Sequence, residues 1–470
     1  MIDQTVERHY LYRQAYATGG SLSVTVDDDD NASIEYHWQV QGSGPYVAFA
    51  LPHHRQTLSS KSKFDTGLSV VTPLAGTLQA VVGTSWLMTE KLSSLSRSFW
   101  DTSASFTSAQ TSAIVAQLAL DAPTAPIANQ DPYTFGKLIA RLARLALIAD
   151  QFGQSDIASS TRSFMKTSLE VALGLSGASP DNQDPLLYDT RYGGVVSTQG
   201  VAIPGVPWGS GSAADFGNGI YNDHHYHYGY WIYAVAAVVK AEPQWWSSNA
   251  QLQNRVLALV RDIANPSDDD PYFTVMRHKD WFMFHSWASG LQPVADGANQ
   301  ESISEAINAY YGVALLGEAI GDGHMSDVGR VLLTTEIRAA QSYWQVLPTD
   351  YSIYPPSFAQ LGMAAQRYAD KATYAVFFEC PGVTACTYGI NIIPVTPITT
   401  QLLPKPWVQA TYTFYASANF VSLEQWRAFL IADHAIIDKN AAWSEAMAYT
   451  GPYDGGVSLT NELYFVASQH

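Results

Sequence analysis

Along the first 85 or so residues, apolar and polar positions alternate with a period of two. SLSVTV (residues 21–26) and ASIEYHWQV (residues 32–40) follow this pattern and are bounded by Gly or Asp clusters, which predicts β-strands. The run Asp27 to Asp30 between them reads as a solvated loop; a calcium site there lacks the EF-hand spacing. PYVAFALPHH and TPLAGTLQAVVGTSWLM continue the strand pattern.

A Ser/Thr-rich stretch near residues 93–112 marks a change of character, and from Tyr133 the period becomes helical. Leu138, Leu142, Leu145 and Ile148 recur at spacings of three and four, with Gly153 as a stop. IASSTRSFMKTSLEVALG, HHYHYGYWIYAVAAVVKA, LQNRVLALVRDIA, ESISEAINAYYGVALLGEAI, MSDVGRVLLTTEIRAAQSYW, SFAQLGMAAQRYADKATYAVFF and SLEQWRAFLIADHAIID are read as further helices. Successive helices at this spacing pack as antiparallel pairs. Many such pairs predict a mainly α fold, a closed double ring of helices. A solenoid competes, but no fixed sequence period supports it.

Composition narrows the function classes. The chain has 470 residues, 47% hydrophobic and 14% charged, enough apolar material for a large core in two or three domains. Lys plus Arg total 25 against 42 Asp plus Glu, a net charge of −17, which disfavours binding to phosphate backbones. A neutral polymer meets no such repulsion. No window approaches a membrane span, and MIDQTVERHY has no signal-peptide pattern. Cys380 and Cys386 exclude a disulfide framework and leave one local bridge open. The sequon Asn31-Ala32-Ser33 is weak evidence for secretion. The 27 Tyr and 13 Trp serve either core packing or stacking on flat sugar faces.

Candidate chemistry concentrates in residues 214–234 and 278–312. In the first, His224, His225 and His227 follow Asp223 among tyrosines; Asp223 and His227 share a helix face, and Asp223 is a candidate N-cap. In the second, Glu301, Glu305 and Asn308 fall at i, i+4 and i+7 as a polar stripe on a helix. Three readings compete. The histidines and an acid form a metal set, although HEXXH is absent. Alternatively, the histidines are interior residues and the Glu pair a solvated helix end. In the third, Asp223 and Glu301 on separate helices flank a glycosidic bond as paired carboxyls.

YNDHHYHYGYWIYA, HSWASGL and DGANQESISEAINAYYG resemble the hallmark segments of glycoside hydrolase family 81, the endo-β-1,3-glucanases. ALPHH, DPYTFGKLIARLARLALIAD, YDTRYGGVVS and YGINIIPVTPIT are similar to family segments in the same order, so the likeness runs from about residue 45 to 400. The resemblance implies an (α/α)6 barrel catalytic domain (residues 126–470) preceded by a partial N-terminal β-sandwich domain (residues 1–92) and a linker region (residues 93–125). Only about 50 residues precede ALPHH, fewer than the family carries, so the chain is expected to begin inside the sandwich.

The resemblance also implies inverting cleavage of internal β-1,3-glucosidic bonds. Asp223 becomes the general acid and Glu301 the general base, with Glu305 and His227 also required. Tyr221, His225, His285, Trp287, Asp296 and Tyr310 are the candidate substrate-binding residues. No cofactor or metal is implied. The partner is a β-1,3-glucan, with no nucleic acid or membrane, and the chain is expected to be monomeric and extracellular or wall-associated. The runner-up is a catalytically silent glucan-binding protein on the same scaffold; a metal-dependent hydrolase at the His cluster is a third class. Asp223 must hold its proton far above the usual value of about 3.9. Burial and neighbouring carboxylates favour that, whereas a charged His227 opposes it, so His227 is expected to be neutral.

Overall fold

The computed structural model describes residues 10–470 except 129, 176–184, 199–213, 292–293, 379, 381–382, 419 and 421–423. The alternating N-terminal segment forms two antiparallel three-stranded sheets. One has the order β1 (Ala15–Val26), β2 (Asn31–Gly42), β6 (Ser85–Lys91); the other is β3 (Val47–Ala50), β5 (Gly76–Val82), β4 (Lys63–Thr72). Ala32, Ile34 and Tyr36 of β2 and Trp86, Met88 and Glu90 of β6 point to one buried face, as the period of two requires. Asp27 to Asp30 form the turn between β1 and β2, and Asp30 is tied to Arg330 at 2.9 Å and Arg97 at 3.2 Å.

After residue 107 the chain is mainly helical. We name α1 (Ser108–Asp121), α2 (Pro132–Gln151), α3 (Ser155–Ala172), α4 (His224–Ala241), α5 (Ala250–Ala264), α6 (Ile303–Ile320), α7 (Gly323–Ala339), α8 (Val383–Ile390), α9 (Lys405–Ala416), α10 (Phe429–Ile437), α11 (Lys439–Ala448) and α12 (Leu459–Ser468). Asp131 caps α2 through Thr134 N at 2.8 Å, and Gly153 leaves it in the left-handed region at φ 68. The sheets meet the helices through Glu90, buried and bonded to Arg338 of α7 at 2.6 Å, and through the Tyr36 hydroxyl on the Trp281 carbonyl.

Helices α4 and α6 pack against each other, with α2 against α4 and α7 against α6. Both α4 and α6 are apolar almost all round, as helices enclosed on every side must be. Their approach is close because Gly229 lacks a side chain; a Cβ there would lie 2.5 Å from the Ala309 Cα.

One predicted helix is absent. SFAQLGMAAQRYADKATYAVFF forms only the turn Pro356–Ala359, then strands β12 (Gln366–Tyr368) and β13 (Ala372–Thr373). Gly362 turns left-handed at φ 77, and β12 pairs with Asn299–Gln300 through Gln300 opposite Arg367. The buried Ala359, Met363, Ala364 and Ala365 had imitated a helical stripe. Cys380 and Cys386 are bridged. No helix among the described residues is long and apolar enough to cross a membrane.

Asp433 of α10 and Glu462 of α12 are buried carboxyls with no cation paired to them among the described ion pairs. Burial pushes Asp433 up to about 7 and raises Glu462 well above the carboxylate range, with the charge of Asp433 adding to the rise. Both hold protons more tightly folded than unfolded. Stability is therefore highest below the unfolded value of about 4, falls as pH rises, and for Asp433 levels off above about 7. Asp433→Asn is expected to remove part of that fall, a gain on the order of 2–4 kcal/mol at pH 8. Thermal unfolding at pH 5 and pH 8 measures it; equal melting temperatures for parent and variant at pH 8 would contradict it.

Candidate active site

Asp223 occupies the N-cap of α4 but does not cap it. Its backbone is left-handed at φ 60, and its carboxyl makes no cap hydrogen bond, which leaves it free for chemistry. Asp215, Phe216, Gly217 and Tyr221 just before it are left-handed too. Such backbone concentrates at sites that must hold a group in one place. The segment is clamped from outside: Asp223 N donates to the Ala288 carbonyl at 2.9 Å, and Leu291 N to the Ile220 carbonyl at 2.8 Å. Gly290 makes this possible, since a Cβ there would overlap the Ile220 carbonyl.

The same clamp reaches Glu301. Ala288 N donates to the Asn299 carbonyl at 2.7 Å, two residues before Glu301. From the other side, the Tyr226 hydroxyl accepts from Ser302 N at 3.1 Å. Glu301 differs from expectation in one respect: it precedes α6, so it is not the first member of a helical stripe. Strand β11 (Asn299–Gln300) pairs with β12 and sets its position. Ser302 and Ser304 bind the Ile390 and Ile393 carbonyls at 2.8 and 2.6 Å, which anchors this turn on the YGINIIP segment. Glu301 Oε1 accepts from Phe377 N at 3.0 Å and from Gln366 Nε2 at 2.8 Å; Oε2 is left for another partner.

Asp223 and Glu301 are half-buried, whereas Glu305 is buried. Loss of water is the largest influence on all three. Burial, then the charges of Glu301 and Glu305, raise Asp223 well above the ordinary aspartate range. Burial lifts Glu301 to about 7 against the two hydrogen bonds on Oε1. Burial raises Glu305 as well, opposed by Lys137 and by hydroxyls of Ser302, Tyr230 and Tyr133. Tyr230 donates to Glu305 Oε1 at 2.6 Å. All three carboxyls thus hold a proton more tightly than free carboxylic acids do.

The three motif histidines diverge. His224 bonds Asp262 and, at 2.7 Å, the Asn218 carbonyl. His225 meets Gln300 Nε2 at 3.3 Å. His227 Nδ1 meets Asn218 Nδ2 at 3.1 Å, and its ring lies 5.4 Å from Tyr133. Burial and the charge of His224 press His227 down to about 3, so it is neutral at ordinary pH and its Nδ1 accepts from the amide. His224, Asp262 and His278 have donor atoms within 4.8 Å of one another. His224 has both nitrogens committed, and Asp262 also accepts from Val195 N at 3.1 Å, so these contacts tie α4 to α5 and β8 (Gly194–Ser197).

Of the six lining candidates, Trp287 and Asp296 keep accessible surface; Trp287 Nε1 donates to Asp280 at 3.1 Å and Asp296 pairs with Lys371. Tyr221, His225, His285 and Tyr310 are buried. Tyr221 donates to Asp189 at 2.8 Å, Tyr310 and Ser286 hydroxyls meet at 2.5 Å, and His285 packs on Trp287 and Trp344. Sequence reasoning missed Gln366 and Phe377, which hold Glu301, and the exposed Phe216, 6.1 Å from the His227 ring. The doubled aromatic of AVFFEC was a signal for Phe377; nothing local marked Gln366.

Comparison with known proteins points to one family in three ways. Residues 12–102 match the model of the glycosyl hydrolase family 81 N-terminal domain and residues 102–463 that of its C-terminal domain. A glucan endo-1,3-beta-D-glucosidase of Glycine max is 31% identical over 93% of this chain and 64% of that protein. A primary septum glucan endo-1,3-beta-D-glucosidase of Schizosaccharomyces pombe is 32% identical over 99% of this chain and 45% of that protein. The solved glycoside hydrolase family 81 structure from Clostridium thermocellum superposes with a TM-score of 0.79 at 25% identity, over 99% of this chain and 62% of that one. The chain thus spans about half to two thirds of the length of these relatives.

Proposed function

The chain belongs to glycosyl hydrolase family 81, and from that premise we propose that it is an inverting endo-β-1,3-glucanase acting on glucans of the laminarin, curdlan or callose type. The observation that carries this reading is a pair of half-buried carboxyls, Asp223 and Glu301, whose segments are tied together through the two backbone hydrogen bonds of Ala288. Burial and the charges of Glu301 and Glu305 push Asp223 well above the ordinary aspartate range, and burial lifts Glu301 to about 7. Asp223 donates its proton to the leaving glycosidic oxygen. Glu301 Oε2 takes a proton from a water that attacks the anomeric carbon from the opposite face. Each turnover leaves Asp223 ionised and Glu301 protonated, and exchange with solvent resets both.

Glu305 keeps the field that favours the Asp223 proton, and neutral His227 is free to bond a sugar hydroxyl. Phe216, 56% exposed and 6.1 Å from the His227 ring, and Phe377, 58% exposed and bonded to Glu301 through its backbone N, offer rings on which sugars can stack. Trp287 and Asp296 add cleft contacts, while Tyr221, His225, His285 and Tyr310 hold the walls. The wider architecture we assign is an (α/α)6 barrel over residues 126–470, a linker at 93–125 and part of a β-sandwich over 1–92. A monomer acting outside the cell or in a wall, without a cofactor, fits this chemistry.

Release of reducing ends from laminarin and curdlan by the purified chain, beside a β-1,4-glucan, tests the reading. Cleavage of only the β-1,3 polymers is expected. Binding without cleavage would replace the enzyme with a silent glucan-binding protein.

A further inference from the structure

We propose that Tyr188, Tyr192 and Tyr272 form an aromatic platform that holds a β-1,3-glucan strand outside the catalytic pair, next to the segment that carries Asp223. The inference rests on the glucanase reading and deepens it, because none of the cleft residues named so far belongs to this surface.

A single exposed tyrosine needs no explanation, but these three come together. β7 (Leu186–Asp189) and β8 pair as an antiparallel hairpin, with Tyr188 on β7 and Tyr192 in the turn. Tyr272 comes from the loop that follows α5. Tyr188 and Tyr192 are each 40% exposed and Tyr272 is 59% exposed. The ring centres of Tyr188 and Tyr272 lie 6.5 Å apart, and Tyr188 also packs on the buried Phe273 at 5.5 Å.

The backbone beneath these rings is fixed at several points. The Tyr188 hydroxyl donates to the Tyr272 carbonyl at 2.5 Å. Asp270 Oδ1 accepts from Tyr272 N at 2.9 Å and from Phe273 N at 3.2 Å. Arg261 in turn binds both oxygens of Asp270, at 2.7 and 2.5 Å. Gly193, left-handed at φ 66, seats the hairpin on the loop, since a Cβ there would lie 2.6 Å from the Tyr272 carbonyl oxygen. Arg277 Nη2 donates to the Tyr192 carbonyl at 3.1 Å and to the Gly193 carbonyl at 2.5 Å. The rings are therefore in place before a ligand arrives, and little ordering entropy is lost on binding.

Two observations select a glucan as the occupant. The first is continuity with the catalytic site. The Tyr192 ring lies 6.0 Å from that of Tyr221, two residues before Asp223, and Tyr221 donates to Asp189 of the same hairpin at 2.8 Å. Arg277, which holds the hairpin turn, lies over the Tyr221 ring at 4.4 Å. The second is charge. Arg261 is taken up by Asp270, Arg277 faces Asp262 at 3.8 Å, and Arg191 lies over the Tyr192 ring at 5.4 Å. Flat rings with hydroxyl edges and mostly paired charges match the apolar faces and hydroxyl rim of a neutral sugar, not a phosphate or an acidic peptide.

The test is made in the Glu301→Gln background, so that laminarin stays intact while its binding is measured by isothermal titration calorimetry. Adding Tyr192→Ala and Tyr272→Ala together should weaken laminarin binding by about tenfold. The loss should be smaller for laminaritriose, which reaches less of the platform. Tyr272→Trp keeps a flat ring and should bind laminarin at least as tightly as the background. Tyr272→Leu, apolar but not flat, should bind it about threefold more weakly. Undiminished laminarin affinity in the double variant would overturn the proposal. So would a Leu variant that binds as the Trp variant does, since that would reduce the surface to unspecific apolar contact. Failure of the Glu301→Gln background itself to bind laminarin would sink the glucanase reading, and the platform with it.

Discussion

Asp223→Asn is expected to lower hydrolysis of laminarin by about a thousandfold or more, with the melting temperature little changed. The side chain takes no part in capping α4, and the backbone clamp on Ala288 survives the substitution. Asparagine also removes a carboxyl that burial and two neighbouring acids disfavour as an anion, so the fold has no reason to suffer. The loss should depend on the leaving group. An aryl β-laminaribioside with an acidic phenol needs little protonation, and on it the variant should recover most of the parent rate. Near-normal laminarin turnover would remove Asp223 from the acid role. An equal loss on both substrates would assign it to binding instead.

Glu301→Gln is expected to produce a loss of similar size with the opposite dependence. The amide still occupies the pocket, with its oxygen able to accept from Phe377 N and Gln366 Nε2 as Oε1 does. It cannot take a proton from water, so a better leaving group brings no recovery. Azide, which needs no deprotonation, should restore turnover and yield an α-glycosyl azide from the β-linkage. The parent profile carries the companion expectation. The base works only when ionised, so kcat/KM falls as pH drops through about 7, the value to which burial lifts Glu301. A Gln variant that keeps this acid limb with good turnover would place the base elsewhere.

Much of this site was legible in the sequence because its parts lie in short contiguous segments. HHYHYGYWIYAVAAVVKA matched α4 end to end, since an enclosed helix with no internal breaker leaves little doubt about its bounds. Glu305 and Tyr230 lie on segments that both read as helical in the sequence; that their side chains meet, with Tyr230 donating to Glu305 at 2.6 Å, appears only in the structure. Long-range pairing was not legible. Whether Gln366 belongs to a helix or a strand depends on its neighbour Asn299–Gln300, 65 or so residues away, and the buried apolar residues around Gly362 imitate a helical stripe. The same pairing draws Glu301 off the helix, so the i, i+4 relation to Glu305 is one of sequence spacing and not of a shared helical face. Left-handed backbone at Asp215, Phe216, Tyr221 and Asp223 leaves no mark in residue type, because only Gly217 among the neighbours advertises it. Aromatic and histidine residues near a motif also say little about exposure. Tyr221 and Tyr310 are candidate substrate contacts in the sequence and are buried, while Phe216 and Phe377 are exposed.

The claim on which the rest turns is that Asp223 and Glu301 address opposite faces of one glucosidic bond, with a water beneath Glu301. Proton NMR of the first products released from laminarin reads this directly, before mutarotation mixes the anomers. Hydrolysis with inversion gives α-anomeric reducing ends from β-linkages, and that is the result expected. An initial excess of β-anomers would mean that a carboxylate, not water, attacks the sugar, and would contradict the assignment of both groups.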